Sequence, residues 1–258
     1  MPLVLFEIKD ATACITLNRP EKLNAFNRDM ALLLQNILDQ CEGDEHIRCV
    51  YISGTGKAFS AGQDLAEVTG KEGPGMTNIL KEQYNPVVTK IRTLSKPVVA
   101  AVNGIAAGAG ANIALCCDII VASESAAFIQ AFSKIGLIPD SGGTYFLPRL
   151  IGWQKASALM MTGDKINAEE AERMGMIYKV LPDEDFASQS FALAVKLSQM
   201  PTQALALTKQ ALNQSFINDY QQQLQLEDRL QQQAAQTKDY QEGITAFIEK
   251  RIPVFRNK

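Results

Sequence analysis

The chain has 258 residues, of which 47% are hydrophobic, and its 25 basic residues nearly balance 28 acidic ones. This length and apolar content suit one large domain, or one domain with an appendage. The charge balance argues against a nucleic-acid-binding surface, and no run reaches the ~18 apolar residues of a membrane span. Because the N-terminus MPLVLFEIKD lacks the pattern of a signal peptide, we expect a cytoplasmic protein without nucleic-acid or membrane partners.

Cysteine and histidine usage argues against a multi-histidine metal site and a histidine-based triad. His46 is the only histidine and lies in the polar run EGDEHIR, which is typical of a surface turn. The five cysteines show no C-x-x-C spacing, so we expect buried packing rather than a bridge or metal ligation. They are Cys14, Cys41, Cys49, Cys116 and Cys117.

Apolar periodicity predicts alternating strands and helices in the first two thirds of the chain. Two half-buried strands should meet at a turn at Asp10-Ala11, followed by a helix that Asn27 caps and Gly43 ends. The following predicted elements are a strand at 49–53, a helix at 84–94, a strand at 97–102, a helix at 107–115 and a strand at 118–122. This alternation predicts an α/β fold with parallel pairing.

Apolar periodicity predicts helices throughout the C-terminal part of the chain. Predicted helices cover 186–199, 203–215, 220–235 and 240–250. We therefore expect a core of residues 1–195 followed by a helical region of residues 196–258.

Two turns made of small residues separate predicted strands from helices. They are KAFSAGQDL at 57–65 and NGIAAGAGAN at 103–112. A helix that begins at such a turn offers unpaired N–H groups to a developing negative charge, as in an oxyanion hole. Tight packing of helix against sheet explains the same residues equally well, and spacing alone leaves both interpretations open.

Asp140, in GLIPDSGGT, is the only acid between Glu124 and Asp164. It could serve as a base whose pKa is raised in an apolar pocket. It could also cap the turn by bonding to the backbone of residues 141–143, which is common in such sequences.

Taken together, KLNAFN at 22–27, the two small-residue turns, IGLIPDSGGT and DYQEGITAFIEKRIPVF resemble the enoyl-CoA hydratase/isomerase (crotonase) superfamily. The resemblance implies a crotonase (ClpP-like) spiral of ββα units, with C-terminal helices that assemble trimers or hexamers. It implies an acyl-CoA substrate and no other cofactor, since coenzyme A is part of the substrate. The backbone N–H groups of Gln63 and Ala109 would form the oxyanion hole. The implied coenzyme A site is Lys22, Ala25, Phe26, Ala61, Asp64 and Leu65.

The sequence departs from the hydratase pattern at two positions. Asn112 and Phe132 stand where hydratases of this family carry glutamates, so the resemblance disfavours hydration. Asp140 stands where certain isomerases of the family carry an aspartate, which makes it the implied base. Asn112, Phe128 and Phe132 would form the acyl pocket beside it.

Within the superfamily, FSAGQDL, Tyr84-Asn85-Pro86, AFSKIGLIPDSGGT and DYQEG are most similar to isomerases of bacterial phenylacetate catabolism. These convert ring-1,2-epoxyphenylacetyl-CoA to oxepin-CoA. A Δ3,Δ2-enoyl-CoA isomerase of fatty-acid oxidation would need the same groups and is an alternative. A non-catalytic subunit that binds acyl-CoA or a partner, such as a hydratase paralogue, is another.

Overall fold

The computed structural model describes residues 1–69 and 75–256. Its strands form a six-stranded and a four-stranded sheet. The strands are β1 (Val4–Lys9), β2 (Thr12–Leu17), β3 (Cys49–Gly54), β4 (Ala58–Ser60), β5 (Val98–Val102), β6 (Ile105–Ala107), β7 (Ile119–Ser123), β8 (Ala127–Ile129), β9 (Lys165–Asn167) and β10 (Lys179–Leu181).

The six-stranded sheet has the order β1-β2-β3-β5-β7-β10, and the four-stranded sheet has the order β4-β6-β8-β9. The hairpin β1-β2 and the pair β8-β9 are antiparallel, and the other neighbours are parallel. Asp10 and Ala11 both have positive φ at the hairpin turn, as a tight two-residue connection requires. The predicted hairpin, α/β class and parallel pairing are confirmed.

The chain alternates between the two sheets. Each of β3, β5 and β7 lies in the larger sheet and is followed within a few residues by a short strand of the smaller sheet, and then by helix. This is the spiral of ββα units that the resemblance implied. The short second strands were not predicted because three residues are too few to show a period-2 pattern.

Helices follow most of the strand pairs. They are α1 (Arg28–Gly43), α2 (Leu65–Thr69), α3 (Gly75–Asn78), α4 (Asn85–Thr93), α5 (Ala109–Leu115), α6 (Gly143–Ile151), α7 (Trp153–Thr162), α8 (Ala168–Met174), α9 (Phe186–Ser198), α10 (Thr202–Ser215), α11 (Tyr220–Ala235) and α12 (Lys238–Glu249). Short 3₁₀ turns cover Pro20–Lys22 and Ala131–Ile135, and a π-helical turn covers Ile79–Tyr84.

Two predicted helix boundaries need correction. The helix predicted at 107–115 begins at Ala109, because residues 105–107 pair as a strand. The helix predicted at 84–94 covers Asn85–Thr93, and Tyr84 belongs instead to the π-helical turn that precedes it. The start of α1 is as predicted, since the Asn27 side chain accepts a 3.0 Å hydrogen bond from the Met30 N–H.

The predicted burial of the cysteines and the predicted surface position of His46 are confirmed. All five cysteines are buried free thiols, and burial raises the pKa of Cys41 to about 12. The His46 side chain is 94% exposed. Across residues 1–69 and 75–256, no helix combines the length and apolar character that crossing a bilayer requires.

The C-terminal helices attach to the core through buried charge. The Lys209 ammonium of α10 lies 2.8 Å from the Asp118 carboxylate and donates to the Ile91 carbonyl at 2.7 Å. The predicted division after residue 195 falls within α9, which packs against β2, β3, β7 and β10. The division into a core and a helical region stays a prediction.

Candidate active site

The two small-residue turns meet, although more than forty residues separate them. Gly62 has φ of +88°, and a Cβ atom added there would lie 2.8 Å from the Ala107 carbonyl oxygen and 3.2 Å from the Ala109 nitrogen. A side chain at this position would push the turns apart. Glycine is required by the contact as well as by the backbone conformation.

Both predicted oxyanion-hole amides lie at this contact. Phe26 and Gln63 form a parallel bridge through the Phe26 N–H to Gly62 (2.6 Å) and the Asp64 N–H to Phe26 (2.8 Å). The Gln63 N–H takes no part in the bridge. Ala109 is the first residue of α5, so its N–H has no acceptor within the helix.

A buried hydrogen-bond network supports the first turn. The Asn24 side chain, fully buried, donates to the carbonyls of Thr55 (2.9 Å) and Ala58 (2.8 Å). The Ser60 hydroxyl donates to the Asn24 carbonyl at 2.8 Å and accepts from the Gly62 N–H at 3.2 Å. Hydrogen bonds at Ala58, Ser60 and Gly62 therefore fix the segment that leads into Gln63.

Asp140 lies in a turn that buried neighbours hold at the start of α6. Its backbone carbonyl accepts hydrogen bonds from the Gly143 N–H and from the Asn112 side-chain amide, each at 2.8 Å. A Cβ atom on Gly143 would lie 2.3 Å from the Asn112 Nδ2. Gly143 thus leaves the space through which Asn112 reaches the turn.

The Asp140 carboxylate is only partly satisfied by hydrogen bonds. Its Oδ1 accepts from the Ser141 hydroxyl at 2.8 Å. Burial raises the pKa of Asp140 above its ordinary value, and the bond from Ser141 opposes that rise. This hydrogen bond comes from the Ser141 hydroxyl and not from the backbone of residues 141–143, so it gives no support to the alternative of a carboxylate that caps the turn.

One cavity of about 390 Å³ brings the predicted base and the oxyanion-hole residues together. Asp140 is the only charged side chain among the described residues that line it. The lining residues are Ala61, Gln63, Leu65, Val68, Met76, Ile79, Tyr84, Gly108, Ala109, Ala131, Phe132, Ile135, Leu137 and Asp140. A carboxylate in such a lining is poorly solvated, which agrees with its raised pKa.

The residues predicted for the acyl pocket separate into two groups. Phe132 lines the cavity. Phe128 is buried in β8 and packs in the main core, and Asn112 is fully buried with its Oδ1 accepting from Gln130 at 2.8 Å. Neither belongs to the cavity lining, which corrects their predicted place: Asn112 supports the Asp140 turn, and Phe128 is a core residue.

The residues predicted for the coenzyme A site lie along the first turn and its neighbour. Ala61 and Leu65 line the cavity, and Leu65 is half exposed. Lys22 is exposed at the end of a 3₁₀ turn, whereas Ala25 and Phe26 are buried. Two of the six positions thus lie at the cavity, and contact with coenzyme A stays a prediction for all six.

Asp64 has an ion-pair partner that the sequence interpretation missed. Its carboxylate forms an ion pair of 2.8 Å with Arg19, and this hydrogen bond lowers the pKa of Asp64. The other oxygen accepts from the Ala66 N–H at 3.1 Å. Arg19 also donates to the Ala25 carbonyl, so it joins the two motif segments. Arg19 lies three residues before the motif KLNAFN, and nothing in its spacing indicates the contact with Asp64.

Tyr84 is a second residue that sequence analysis did not assign to the site. It is buried, lines the cavity and donates from its hydroxyl to the Gln63 side-chain oxygen at 2.8 Å. The sequence indicated only that Tyr84 belongs to the shared motif YNP.

Comparison with known proteins gives consistent results. The enoyl-CoA hydratase/isomerase family matches residues 7–258. A 1,2-epoxyphenylacetyl-CoA isomerase of Escherichia coli is 44% identical over all of both chains. A trans-2-decenoyl-[acyl-carrier-protein] isomerase of Streptococcus mutans is 35% identical over 99% of this chain and 98% of that protein.

The fold comparison agrees with the sequence comparison. The crystal structure of an enoyl-CoA hydratase from Bacillus anthracis superimposes with a TM-score of 0.93 at 33% identity, covering 100% of both chains. Relatives with full coverage thus include an isomerase and a hydratase. With its ββα spiral and the site described above, the chain belongs to the enoyl-CoA hydratase/isomerase, or crotonase, family.

Proposed function

We propose that this protein is an acyl-CoA isomerase in which Asp140 is the single proton carrier. The observation that carries the proposal is the cavity itself. Asp140 is the only charged side chain in its described lining, and the same cavity includes Gln63 and Ala109, whose N–H groups have no partner in the bridge or the helix.

In the proposed reaction the Asp140 carboxylate takes a proton from the carbon next to the thioester carbonyl. The electron pair left on that carbon moves onto the carbonyl oxygen, and the Gln63 and Ala109 N–H groups stabilise the negative charge. Asp140 then returns the same proton to a carbon further along the conjugated system. The sum is an isomerisation that needs no other reactant.

Ring-1,2-epoxyphenylacetyl-CoA is the proposed substrate. The bond shared by the epoxide and the six-membered ring breaks as the ring expands, and Asp140 moves the proton from the side chain to a ring carbon to give oxepin-CoA. Support comes from the Escherichia coli isomerase at 44% identity and from Tyr84 and Phe132, which give the cavity aromatic walls.

A Δ3,Δ2-enoyl-CoA isomerase is the second candidate. The same base and the same two N–H groups would serve a linear acyl chain. The Streptococcus mutans relative, whose name specifies a decenoyl group on acyl carrier protein, favours this alternative. A non-catalytic acyl-CoA-binding subunit is disfavoured because it would not need a desolvated carboxylate in the cavity.

The experiment that tests the proposal is a substrate panel on the purified protein. It contains ring-1,2-epoxyphenylacetyl-CoA, 3-hexenoyl-CoA and crotonyl-CoA, with Asp140→Asn as the inactive control. We expect turnover of the epoxide, lower turnover of 3-hexenoyl-CoA and negligible hydration of crotonyl-CoA. Binding of all three thioesters without turnover would instead establish the non-catalytic alternative.

We further propose cytoplasmic trimers or hexamers that use no cofactor apart from the coenzyme A of the substrate. The five free thiols suit a reducing compartment. A complex with a hydratase paralogue is a further proposal. Co-purification with a candidate hydratase tests that association.

A further inference from the structure

Three side chains, two of which line the cavity, form a hydrogen-bonded chain. The Tyr84 hydroxyl donates to the Gln63 Oε1 at 2.8 Å, and the Gln63 Nε2 donates to the Glu67 Oε2 at 2.8 Å. The other Glu67 oxygen accepts from the Arg28 N–H at 2.8 Å. Both ends of the Gln63 amide therefore have partners, and Glu67 is tied to the start of α1.

The backbone of the same glutamine is also restrained. Gln63 pairs with Phe26 in the parallel bridge, and the Phe26 ring packs edge-on against the Tyr84 ring with 6.1 Å between centroids. Tyr84 thus contacts the Gln63 segment through its hydroxyl and, by way of Phe26, through its ring. Tyr84 also ends the π-helical turn Ile79–Tyr84, a type of local structure frequent at functional sites.

The surroundings of Tyr84 keep its hydroxyl a donor. Burial raises the pKa of Tyr84 well above its ordinary value, and the negative charges of Asp140 and Glu67 raise it further. A neutral phenol has one O–H to donate. That donor faces the amide oxygen at one end, and at the other end Glu67 accepts from the amide NH₂ group. Exchange of the two amide ends would place the Gln63 oxygen against the accepting Glu67 oxygen, so the pair of partners fixes the orientation of the amide.

We propose that Tyr84 and Glu67 are positioning residues that act through Gln63. By holding the side-chain amide at both ends, they keep the Gln63 backbone N–H aimed at the thioester oxygen. The inference rests on the proposed function, because it assigns these residues to the oxyanion hole of that reaction. Glu67 is thereby given a supporting role, since both of its oxygens accept hydrogen bonds from protein groups.

The first test compares Tyr84→Phe with Tyr51→Phe. Tyr51 is a matched control because its hydroxyl is also hydrogen-bonded, at 2.9 Å to the Ser190 Oγ, but lies in the larger sheet outside the cavity lining. Removing an oxyanion-hole donor costs about 10²- to 10³-fold in kcat, and a displaced donor should cost less. We expect Tyr84→Phe to lower kcat about 10-fold with KM nearly unchanged, and Tyr51→Phe to leave both constants unchanged.

A double-mutant cycle then identifies the route of the effect. Gln63→Ala keeps the backbone N–H but removes the side chain on which Tyr84 acts. In that background we expect Tyr84→Phe to change kcat less than about 2-fold, since the two changes break the same chain. An equal loss in both backgrounds would show that Tyr84 acts directly on the substrate and would overturn the inference. An unchanged kcat in Tyr84→Phe alone would overturn it as well.

A measurement without turnover separates this inference from the proposed function. The carbonyl stretch of bound butyryl-CoA, labelled with carbon-13 at the thioester carbon, reports polarisation by the oxyanion hole. Binding shifts the carbonyl stretching frequency away from that of the free thioester. We expect this shift to be smaller in Tyr84→Phe than in wild type or Tyr51→Phe. If Asp140→Asn retains turnover while the carbonyl shift depends on Tyr84, the proposed base fails and the positioning role stands. If Asp140→Asn loses turnover while the carbonyl shift is the same in Tyr84→Phe and wild type, the proposed base stands and the positioning role alone is rejected.

Discussion

The Asn112 side chain donates a 2.8 Å hydrogen bond from Nδ2 to the backbone carbonyl of Asp140, so a fully buried amide holds the turn that carries the proposed base. The same amide accepts from Gln130 through its Oδ1 at 2.8 Å. Both ends of Asn112 are therefore occupied in support of the site. Asn112 therefore holds the backbone of Asp140 in place.

We expect Asn112→Ala to lower both stability and turnover. The substitution leaves the Asp140 carbonyl and the Gln130 amide without this partner, and a buried unpaired polar group costs about 1–3 kcal/mol. The released turn should also let the carboxylate move, so kcat should fall. Thermal melting and isomerase kinetics measure the two effects. Normal kcat at temperatures where the variant is folded would show that Asn112 stabilises the fold only.

Asp140→Asn should abolish turnover while ligand binding survives. The change removes the titratable group and keeps its size, and loss of general-base catalysis should lower kcat by about 10³-fold or more. Asp164→Asn, at an exposed position, is the matched control and should be fully active. Near-normal turnover in Asp140→Asn would refute the mechanism.

The same variant should be at least as stable as wild type at pH 7. Because burial raises the pKa of Asp140 in the folded state, the stability that its carboxyl contributes is present below the unfolded pKa and is lost as the pH rises through the folded pKa. At neutral pH the wild-type protein carries the cost of a buried charge, and asparagine removes that cost. Melting of both proteins between pH 4 and pH 8 tests this, and the difference should shrink toward low pH.

Ser141→Ala should move the acid limb of the pH–rate profile to higher pH. The Ser141 hydroxyl donates to the Asp140 carboxylate and opposes the rise of its pKa, so removing it should raise the pKa further. The base is active only when ionised, and kcat/KM should therefore decline at a higher pH than in wild type. Identical limbs in both proteins would mean that another group controls the profile.

Hydration of crotonyl-CoA should be negligible beside isomerisation. Asn112 and Phe132 cannot act as general bases, and general acid–base groups contribute about 10²- to 10⁴-fold each. Among the described residues of the cavity lining, no second carboxylate accompanies Asp140. Purified protein that hydrates crotonyl-CoA at a rate near its isomerase rate would contradict this expectation.

The protein should sediment as a trimer or a multiple of it. Large apolar side chains of the C-terminal region are exposed in the single chain, including Ile217 (74%), Phe247 (85%) and Ile248 (72%). Large exposed apolar side chains concentrated in one region are typical of a surface that associates with another chain. We expect Phe247→Glu to weaken assembly, and Lys250→Glu, an exposed change without apolar surface, to preserve it. A wild-type monomer at micromolar concentration would contradict the proposal.

The sequence by itself determined the class of fold, five of the six strands of the larger sheet and the long C-terminal helices. These elements are long enough for apolar periodicity, and caps such as Asn27 act between residues three apart. It also determined the family, because the motifs KLNAFN, FSAGQDL, NGIAAGAGAN and GLIPDSGGT are local strings. The candidate residues Gln63, Ala109 and Asp140 followed from those strings.

Only the tertiary structure decided how these residues meet and what supports them. The Asn112 amide reaches Asp140 across 28 positions, Tyr84 reaches Gln63 across 21, and Arg19 reaches Asp64 across 45. Such contacts leave no periodic trace in a single sequence, because they depend on where the ββα units stack. The short strands of the smaller sheet were missed for a related reason. Their stability comes from pairing between units, which three-residue segments do not reveal on their own.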